Sequence, residues 1–309
     1  MKSRVACARG ALQNCRQLGN KLMDTITINN VRDIDLTHIF ECGQCFRWVP
    51  APDGSGDYVG AAGKYAARIR LEAPDGAAGE PGRTLVIESS GGSEEFWRGY
   101  FDLSTDYGSI KSELVSNEPG IEPAVNYGGG IRILRQDFFE TLISFIISQN
   151  NNIPRIRKCV EALCCRYGER IGEYYGREWY AFPEPEVLAS ASVDDLAALR
   201  LGYRSEYIRT AAEQFVHDRD IGRLPQTREE ILAYRGVGPK VANCIMLFGL
   251  RDVSAFPVDT WVRHIMNDMY GIPENDMKQM ERFAREKFGD YAGYAQQYLF
   301  YYYRDRSGS

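Results

Sequence analysis

The sequence predicts an α+β protein, in which an N-terminal antiparallel β domain over residues 23–128 precedes an all-α domain over residues 129–309. Short strand-like segments separated by proline and glycine turns fill the first region, and longer segments with helical periodicity fill the second. The length of 309 residues fits two domains at the usual size of about 100–200 residues each.

The strand candidates of the first region are "GKYAARIRLE" and "RTLVIES". Pro74-Asp75-Gly76 and "GEPG" separate them, and Pro52-Asp53-Gly54 marks a further hairpin turn. We therefore expect mostly β structure from residue 24 to about residue 125, as an antiparallel sheet with helices on one face. The aromatic residues of "SEEFWRGYFDL" are expected to pack on this sheet. Residues 1–22 are basic and contain no acidic side chain; we expect a disordered extension ahead of Met23, although they faintly resemble a transit peptide.

The second region has the periodicity of helices. "RQDFFETLISFIISQNNN" is apolar on nearly every side, which predicts a buried helix that ends at the asparagines. "RIRKCVEALCCRYG" is amphipathic and ends at Gly168, and "YAGYAQQYLFYYYR" predicts a later helix with an aromatic stripe.

A tight turn between two helices is predicted around residue 237. Thr227 and Glu230 form a capping box that begins the first helix. Gly236 supplies a left-handed stop, Gly238 bends the chain again, and Pro239 takes the first position of the second helix. Such a turn points backbone N–H groups outward beside a helix N-terminus, which suits a phosphate group of any nucleotide sequence. An ordinary corner between two helices, without a ligand, remains the alternative.

Lys240 follows this turn at a place where the helix dipole disfavours cations. A surface lysine that touches phosphate is the simplest interpretation. Asp259, which is placed to cap the following helix, favours a different one, because an amine and a carboxylate beside a phosphate site suit attack at C1′ of a nucleotide. The helix N-terminus and partial burial would favour the neutral, nucleophilic amine, and the carboxylate would stabilise the cationic sugar.

Composition limits the other possibilities. The net charge of −5 counts against a protein that coats nucleic acid non-specifically, but it permits a local basic surface. No apolar run reaches the length of about 18 residues that a membrane span requires. Eight scattered cysteines indicate free thiols in a reducing compartment, and the lone pair Cys42 and Cys45 is too small a ligand set for zinc, so we expect no metal site.

Seven motifs together resemble the 8-oxoguanine DNA glycosylases, which belong to the helix-hairpin-helix glycosylases with a Gly-Pro-Asp motif. The resemblance extends from about residue 24 to the last predicted helix. The motifs, in the order of the family, are "CGQCFRW", "GIRILRQD", "SQNNNIPRI", "LGYRSEYI", "GVGPKVANC", "PVDTW" and "AGYAQQYLF".

The resemblance implies roles for a catalytic pair and a base pocket. Lys240 would be the Schiff-base nucleophile and Asp259 its essential carboxylate. Gly43 would offer its carbonyl to the N7–H that distinguishes 8-oxoguanine from guanine. The remaining implied pocket residues are Gln296 for the Watson–Crick edge, and Phe300 and Cys244 on the two faces of the extruded ring.

The resemblance also implies a set of DNA contacts. Asn150, Arg155 and Arg204 would contact the orphaned cytosine, while Tyr203 would fill the gap in the duplex. Phosphate contacts would come from Gly236, Gly238, Val241 and Trp261. Trp261 departs from the histidine of many eukaryotic members, so a phosphate contact here would come from an indole in place of an imidazole. Arg235 stands where the family commonly has proline and is a candidate for an additional phosphate contact.

The function implied is that of a bifunctional enzyme that excises 8-oxoguanine opposite cytosine in duplex DNA and nicks the strand by β-elimination. We expect a monomer that needs no metal or organic cofactor, although the hairpin carbonyls could hold a monovalent ion. A bacterial protein is expected in the cytoplasm or nucleoid, and a eukaryotic one in the nucleus, with no secretory signal and no membrane partner. The alternatives are a glycosylase for another damaged purine, such as an alkylated base, and a non-catalytic module that binds damaged DNA.

Overall fold

A computed structural model describes residues 23–73 and 82–307 of the chain. The basic extension predicted for residues 1–22 lies outside the described residues. The same holds for the turn Pro74-Asp75-Gly76 and for most of "GEPG".

The N-terminal region contains a five-stranded antiparallel sheet in the order β1-β5-β4-β3-β2. Its strands are β1 (Asp24–Val31), β2 (Trp48–Pro50), β3 (Tyr58–Ala62), β4 (Tyr65–Glu72) and β5 (Arg83–Ser89). The segment from Ala51 to Asp57 joins β2 to β3, with a bond from the Ala51 N–H to the Asp57 carbonyl of 2.8 Å. The predicted hairpin at residues 52–54 is therefore confirmed.

Two short helices, α1 (Leu36–Glu41) and α2 (Glu94–Tyr100), pack against one face of this sheet. Phe40 of α1 stacks on Trp48 with ring centroids 4.6 Å apart, and the Trp48 indole donates to the Tyr100 hydroxyl at 2.7 Å. The predicted packing of the "SEEFWRGYFDL" aromatics on the sheet is confirmed, since Trp97 and Phe101 are buried in this core.

The expected helices on one face of the sheet are α1 and α2, but the expectation of mostly β structure up to about residue 125 is wrong for residues 107–125. After α2 come α3 (Tyr107–Asn117), a short 3₁₀ turn and α4 (Glu122–Tyr127). Ile110 and Leu114 lie four positions apart on α3 and are buried in the core of the helical region, not in that of the sheet. The predicted domain boundary between residues 128 and 129 stays a prediction.

The second region is a bundle of helices. They are α5 (Phe138–Ser148), α6 (Ile153–Tyr167), α7 (Pro185–Ser190), α8 (Val193–Ala197), α9 (Arg204–Asp220), α10 (Arg228–Leu232), α11 (Pro239–Phe248), α12 (Thr260–Tyr270), α13 (Met277–Phe288) and α14 (Ala292–Ser307). Eight of the eleven residues of α5 are buried, so the predicted buried helix that ends at the asparagines is confirmed.

The predicted fold class is confirmed, but the second region is not entirely helical. A two-stranded hairpin, β6 (Arg170–Tyr174) and β7 (Arg177–Tyr180), lies between α6 and α7. Its tight turn is formed by two residues with positive φ, Tyr175 at 56° and Gly176 at 75°. The hairpin forms because Tyr174 and Trp179 bury their rings against strands β3 and β4 of the large sheet.

Asp102 joins the two regions. Its carboxylate, which is fully buried, accepts from Arg135 at 2.9 Å and from Arg251, beyond the end of α11, at 3.0 Å. Burial alone would raise the pKa of this carboxyl, but the hydrogen bonds and charges of the two arginines outweigh burial and lower it. Removal of Asp102 would therefore leave two guanidinium groups unpaired at the junction.

Across the described ranges, 23–73 and 82–307, no helix has the length and apolarity to span a membrane. No group of three or more histidine, cysteine or acidic side chains converges there as a metal site would require. The cysteines in the same ranges have free thiols.

Candidate active site

The turn between α10 and α11 has the geometry predicted for it. Thr227 and Glu230 form a reciprocal capping box at the start of α10. Gly236 has a φ of 84°, and a Cβ atom added there would lie 2.6 Å from Cγ of Tyr207. Gly236 is thus required both by the left-handed backbone and by the ring that packs on it. Gly238 differs, because its φ is −98° and nothing lies near its Cβ position.

Pro239 begins α11, as predicted, so the N–H groups of Gly238, Lys240 and Val241 point out of the first turn without partners inside the helix. Val241 is buried, so its side chain belongs to the core and only its backbone N–H is a candidate ligand. These groups, together with the helix dipole, make the turn suitable for an anion such as a phosphate.

The Lys240 amine lies between an aromatic ring and a thiol. Its Nζ atom is 5.2 Å from the centroid of the Phe145 ring, whose face attracts a cation. Cys244, one turn further along α11, lies close enough to feel the charge of the amine. Burial raises the pKa of the Cys244 thiol, and the neighbouring Lys240 partly offsets this rise.

Asp259 caps α12, which confirms the predicted cap. Its Oδ1 accepts from the Val262 N–H at 2.8 Å. Burial raises the pKa of this carboxyl, while the Val262 N–H and the charge of Lys240 lower it. Lys240 and Asp259 therefore share one partly dry neighbourhood, although they begin two different helices.

Two of the residues predicted to enclose the base, Gly43 and Phe300, are in contact. Gly43 follows α1 with a φ of 80°, and a Cβ atom there would be 3.3 Å from Cε1 of Phe300. Gln296 and Phe300 lie one turn apart on α14, and only 4% of Gln296 is exposed. The Gln297 amide donates to Oε1 of Gln296 at 2.7 Å.

Gln44 is a site residue that the sequence analysis did not identify. Its amide nitrogen donates to the carbonyls of Ile39 at 2.9 Å and Arg132 at 2.8 Å, and its Oε1 accepts from the Leu134 N–H at 2.8 Å. Gln44 thereby holds the Gly43 turn against the segment 131–137. "CGQCFRW" and "GIRILRQD" each contain one side of this contact, but they are about 90 positions apart, and nothing in either motif pairs them.

The loop after α5 carries the residues predicted to face the orphaned cytosine. Asn150 has a positive φ of 47°, and its amide donates to the Tyr203 hydroxyl at 3.3 Å. Arg204 is 96% buried and donates to the carbonyls of Gln149, Asn150 and Leu201. The Arg204 guanidinium also lies 4.6 Å from the centroid of the Tyr203 ring, which is itself 52% exposed.

Arg155 and Trp261 differ from Arg204, because both are exposed. The Arg155 backbone N–H donates to Asn152 Oδ1 at 3.0 Å, but its guanidinium has no hydrogen bond or ion pair with any residue of 23–73 and 82–307. Trp261 lies in the first turn of α12 and is 37% exposed. Arg235 is exposed too, at 3.9 Å from a carboxylate oxygen of Glu206.

A second missed residue, Gln149, connects this loop to the hairpin. Its amide nitrogen donates to the Gly236 carbonyl at 2.9 Å and to the Ile146 carbonyl at 3.1 Å. The loop and the hairpin are therefore held together before any ligand arrives.

Two family models match adjoining parts of the chain. The 8-oxoguanine DNA glycosylase N-terminal domain matches residues 26–142, and the HhH-GPD superfamily base excision DNA repair protein matches residues 143–289. A probable N-glycosylase/DNA lyase of Methanothermobacter thermautotrophicus is 33% identical over 233 residues, which cover 67% of this chain and 73% of the relative. The chain belongs to the 8-oxoguanine DNA glycosylase family.

A solved structure and a second curated relative agree with this assignment. The 8-oxoguanine glycosylase/lyase of Clostridium acetobutylicum has a TM-score of 0.81 and 41% identity, with 92% of this chain and 96% of that one covered. An N-glycosylase/DNA lyase of Arabidopsis thaliana is 30% identical over 87% of this chain and 77% of its own. The resemblance found in the seven motifs is confirmed, and the enzyme is a DNA glycosylase and AP lyase by family.

The two hairpin glycines of this glycosylase predict unequal costs of substitution. Gly236→Ala should lower the free energy of unfolding by about 2–4 kcal/mol, because alanine disfavours the left-handed backbone and its Cβ meets the Tyr207 ring. Gly238→Ala, the matched control, should cost at most about 1 kcal/mol, for a weaker helix cap. Urea unfolding measures both. Equal losses in the two variants would contradict the conformational role of Gly236.

Proposed function

We propose that this glycosylase excises 8-oxoguanine opposite cytosine in duplex DNA and then cleaves the strand by β-elimination. The observation that carries the proposal is the shared neighbourhood of the Lys240 amine and the Asp259 carboxylate, directly after a turn suited to phosphate. The 8-oxoguanine glycosylase/lyase of Clostridium acetobutylicum was solved with dsDNA containing cytosine opposite 8-oxoG, which supports the same substrate here.

The amine acts as the nucleophile. The neutral Lys240 Nζ attacks C1′, a C–N bond forms, and the glycosidic bond breaks with its electron pair leaving on the base, which takes up a proton. Ring opening of the sugar yields a Schiff base between C1′ and Nζ. Loss of a proton from C2′ then expels the 3′ phosphate, and water later releases the amine. Lys240 thus serves both base release and strand cleavage.

Asp259 stabilises the positive charge that develops on the sugar as the base leaves. Its carboxylate is held by the Val262 N–H, which orients it before the reaction begins. Partial burial lowers the effective dielectric around it and strengthens its interaction with the sugar cation.

The Gly43 carbonyl distinguishes the oxidised base from guanine. 8-Oxoguanine carries a proton at N7, where guanine presents an acceptor. A carbonyl oxygen accepts from the former and repels the latter. Phe300 supplies a stacking surface beside Gly43, and Gln296 contacts the Watson–Crick edge, as an extruded base requires.

The opposite base is recognised chiefly by Arg155 in this proposal. Arg204 makes four hydrogen bonds to backbone carbonyls, which leave it one of its five N–H donors. No residue of 23–73 and 82–307 pairs with the Arg155 guanidinium, so its donors are available to the O2 and N3 acceptors of an unpaired cytosine. Arg204 then acts mainly by shaping the loop that presents Asn150 and Arg155.

Lys240→Gln should abolish both 8-oxoguanine release and the covalent adduct trapped by borohydride, while duplex binding is largely retained. One amine serves both steps, whereas backbone N–H groups bind the phosphate. Gel-based excision and trapping assays, with a binding titration, measure the three quantities. Lys278→Gln, at an exposed position on α13, is the control. Normal excision by Lys240→Gln would remove Lys240 from the nucleophile's role.

Asp259→Asn should slow excision by a factor of about 10²–10³ or more, which is the usual loss when a preorganised electrostatic group is removed. Its melting temperature at pH 7 should not fall, because asparagine also caps helices and no charge remains to be buried. Asp276→Asn, which alters the cap of α13, is the matched control and should retain activity.

The raised pKa of Asp259 adds a pH dependence. The carboxylate is the active form, so the excision rate of the wild type should begin to fall at a pH above the ordinary aspartate value of about 3.9. Because the folded protein binds this proton more tightly than the unfolded chain does, this group's contribution to stability rises as the pH falls through its folded pKa.

Strong unfolding of Asp259→Asn with near-normal activity per folded molecule would mean a purely structural role.

Arg155→Ala should reduce the preference for cytosine more than it reduces activity on the cytosine pair. Adenine opposite the lesion presents an amine and would leave arginine donors unpaired, at about 1–3 kcal/mol per group, or about tenfold to hundredfold in rate. Single-turnover excision opposite each of the four bases measures the preference. Arg166→Ala, at the exposed far end of α6, is the control. An unchanged ratio between cytosine and adenine would leave Arg155 as a phosphate contact only.

A further inference from the structure

Two arginines from different helices converge on the C-terminal end of α1, two residues before Gly43. Nη1 of Arg304, on α14, donates to the Glu41 carbonyl at 2.5 Å. Nη2 of Arg157, on α6, donates to the Phe40 carbonyl at 3.0 Å and to Oε2 of Glu41 at 2.9 Å. We call Arg157 and Arg304 the arginine clamp. Cations at this end of a helix satisfy its last carbonyls and complement its dipole.

Arg304 also contacts the other wall of the base pocket. Its guanidinium carbon lies 5.5 Å from the centroid of the Phe300 ring, one helical turn earlier on α14. Asp305 accepts from Nε of the same group at 3.0 Å and from Nη2 at 2.7 Å, which fixes its orientation. A single guanidinium therefore bridges the aromatic wall on α14 and the helix end that leads into Gly43.

The clamp faces the protein interior. The side chains of Arg157 and Arg304 are each only 19% exposed. Nη2 of Arg157 and all three nitrogens of the Arg304 guanidinium are directed at backbone carbonyls and neighbouring carboxylates. They are thus poorly placed to serve as phosphate contacts. The clamp holds the chain before Gly43, and Gln44 holds the chain after it by donating to the Arg132 carbonyl.

The direction of the Gly43 carbonyl depends on how the turn around it is held. Gly43 has a left-handed backbone and belongs to no helix or strand, so the direction of its carbonyl depends on what holds the residues before and after it. A hydrogen bond to N7–H requires that direction to match the edge of a base lying on Phe300.

We propose that Arg304 is a positioning residue for lesion recognition, and that Arg157 supports it. Arg304 sets the angle between the Gly43 carbonyl and the Phe300 ring, while Arg157 ties the same helix end to α6. This inference rests on the proposed function. Neither arginine touches the reacting atoms, so the clamp acts on base recognition and not on the chemistry at C1′.

Two activities of the enzyme distinguish an effect on base recognition from an effect on the chemistry at C1′. Excision of 8-oxoguanine needs the base pocket, Lys240 and Asp259. Cleavage at a preformed abasic site opposite cytosine needs Lys240 and Asp259 but no base in the pocket. A loosened clamp should therefore impair the first activity and spare the second.

Arg304→Met, which keeps the apolar stem and removes the guanidinium, tests the clamp. Single-turnover excision of 8-oxoguanine opposite cytosine should fall about 10- to 100-fold, the usual effect of a small misplacement in a binding site. Cleavage of the preformed abasic site should stay within about twofold of wild type, as for a change outside the reacting centre. Arg157→Met should show the same division. Arg306→Met is the control, because Arg306 lies on the same helix but is directed at Tyr302, and it should change neither activity.

In a Lys240→Gln background, Arg304→Met should also reduce the preference of binding for an 8-oxoguanine duplex over a guanine duplex. Equal losses of excision and of abasic-site cleavage would show a general structural role and overturn the proposal. If the wild type excises 8-oxoguanine and Arg304→Met does so equally well, the positioning role of the clamp is overturned and the proposed function is not. Absence of 8-oxoguanine excision by the wild type would overturn the proposed function and the clamp with it.

Discussion

The site depends on one electrostatic constraint: an amine and a carboxylate must share a partly dry neighbourhood, and each lies at the N-terminal end of a helix. The dipole of α11 disfavours a charged Lys240, whereas the dipole of α12 favours a charged Asp259. The Phe145 ring and the Asp259 charge partly compensate Lys240 when it is protonated. The cap that holds Asp259 also orients α12, so helix geometry and electrostatics are fixed by the same hydrogen bond.

The surroundings of this pair are held as one connected unit. Gln149 donates to the Gly236 carbonyl of the hairpin, and Arg204 in turn donates to the Gln149 carbonyl. Tyr207, which packs on Gly236, contacts the exposed Tyr203 edge to face, with ring centroids 5.7 Å apart. The hairpin, the asparagine loop and the residue proposed to enter the duplex therefore occupy fixed relative positions before DNA binds, which lowers the entropic cost of assembling the site.

Local features were predictable from the sequence, and contacts distant along the chain were not. The capping box at Thr227 and the Asp259 cap each depend on residues within four positions, so the pattern contains the whole interaction. The left-handed turn at Gly236 is marked by its residue type, but its contact with the distant Tyr207 ring is not. Gln44, Gln149 and Arg304 act through carbonyls that lie about 90 to 260 positions away. A backbone carbonyl is present at every residue, so no residue type marks the partner.

The same distinction explains the errors in secondary structure. Helices α3 and α4 were missed because they contain few buried residues, three in the eleven of α3 and two in the six of α4, and the core that buries them comes from residues far along the chain. The hairpin of β6 and β7 had a local signal, since Tyr175-Gly176 lies between "RIGEY" and "REWY", but its stability comes from burial of Trp179 against the distant sheet. A two-stranded hairpin alone is only marginally stable in water, so the local pattern could not decide.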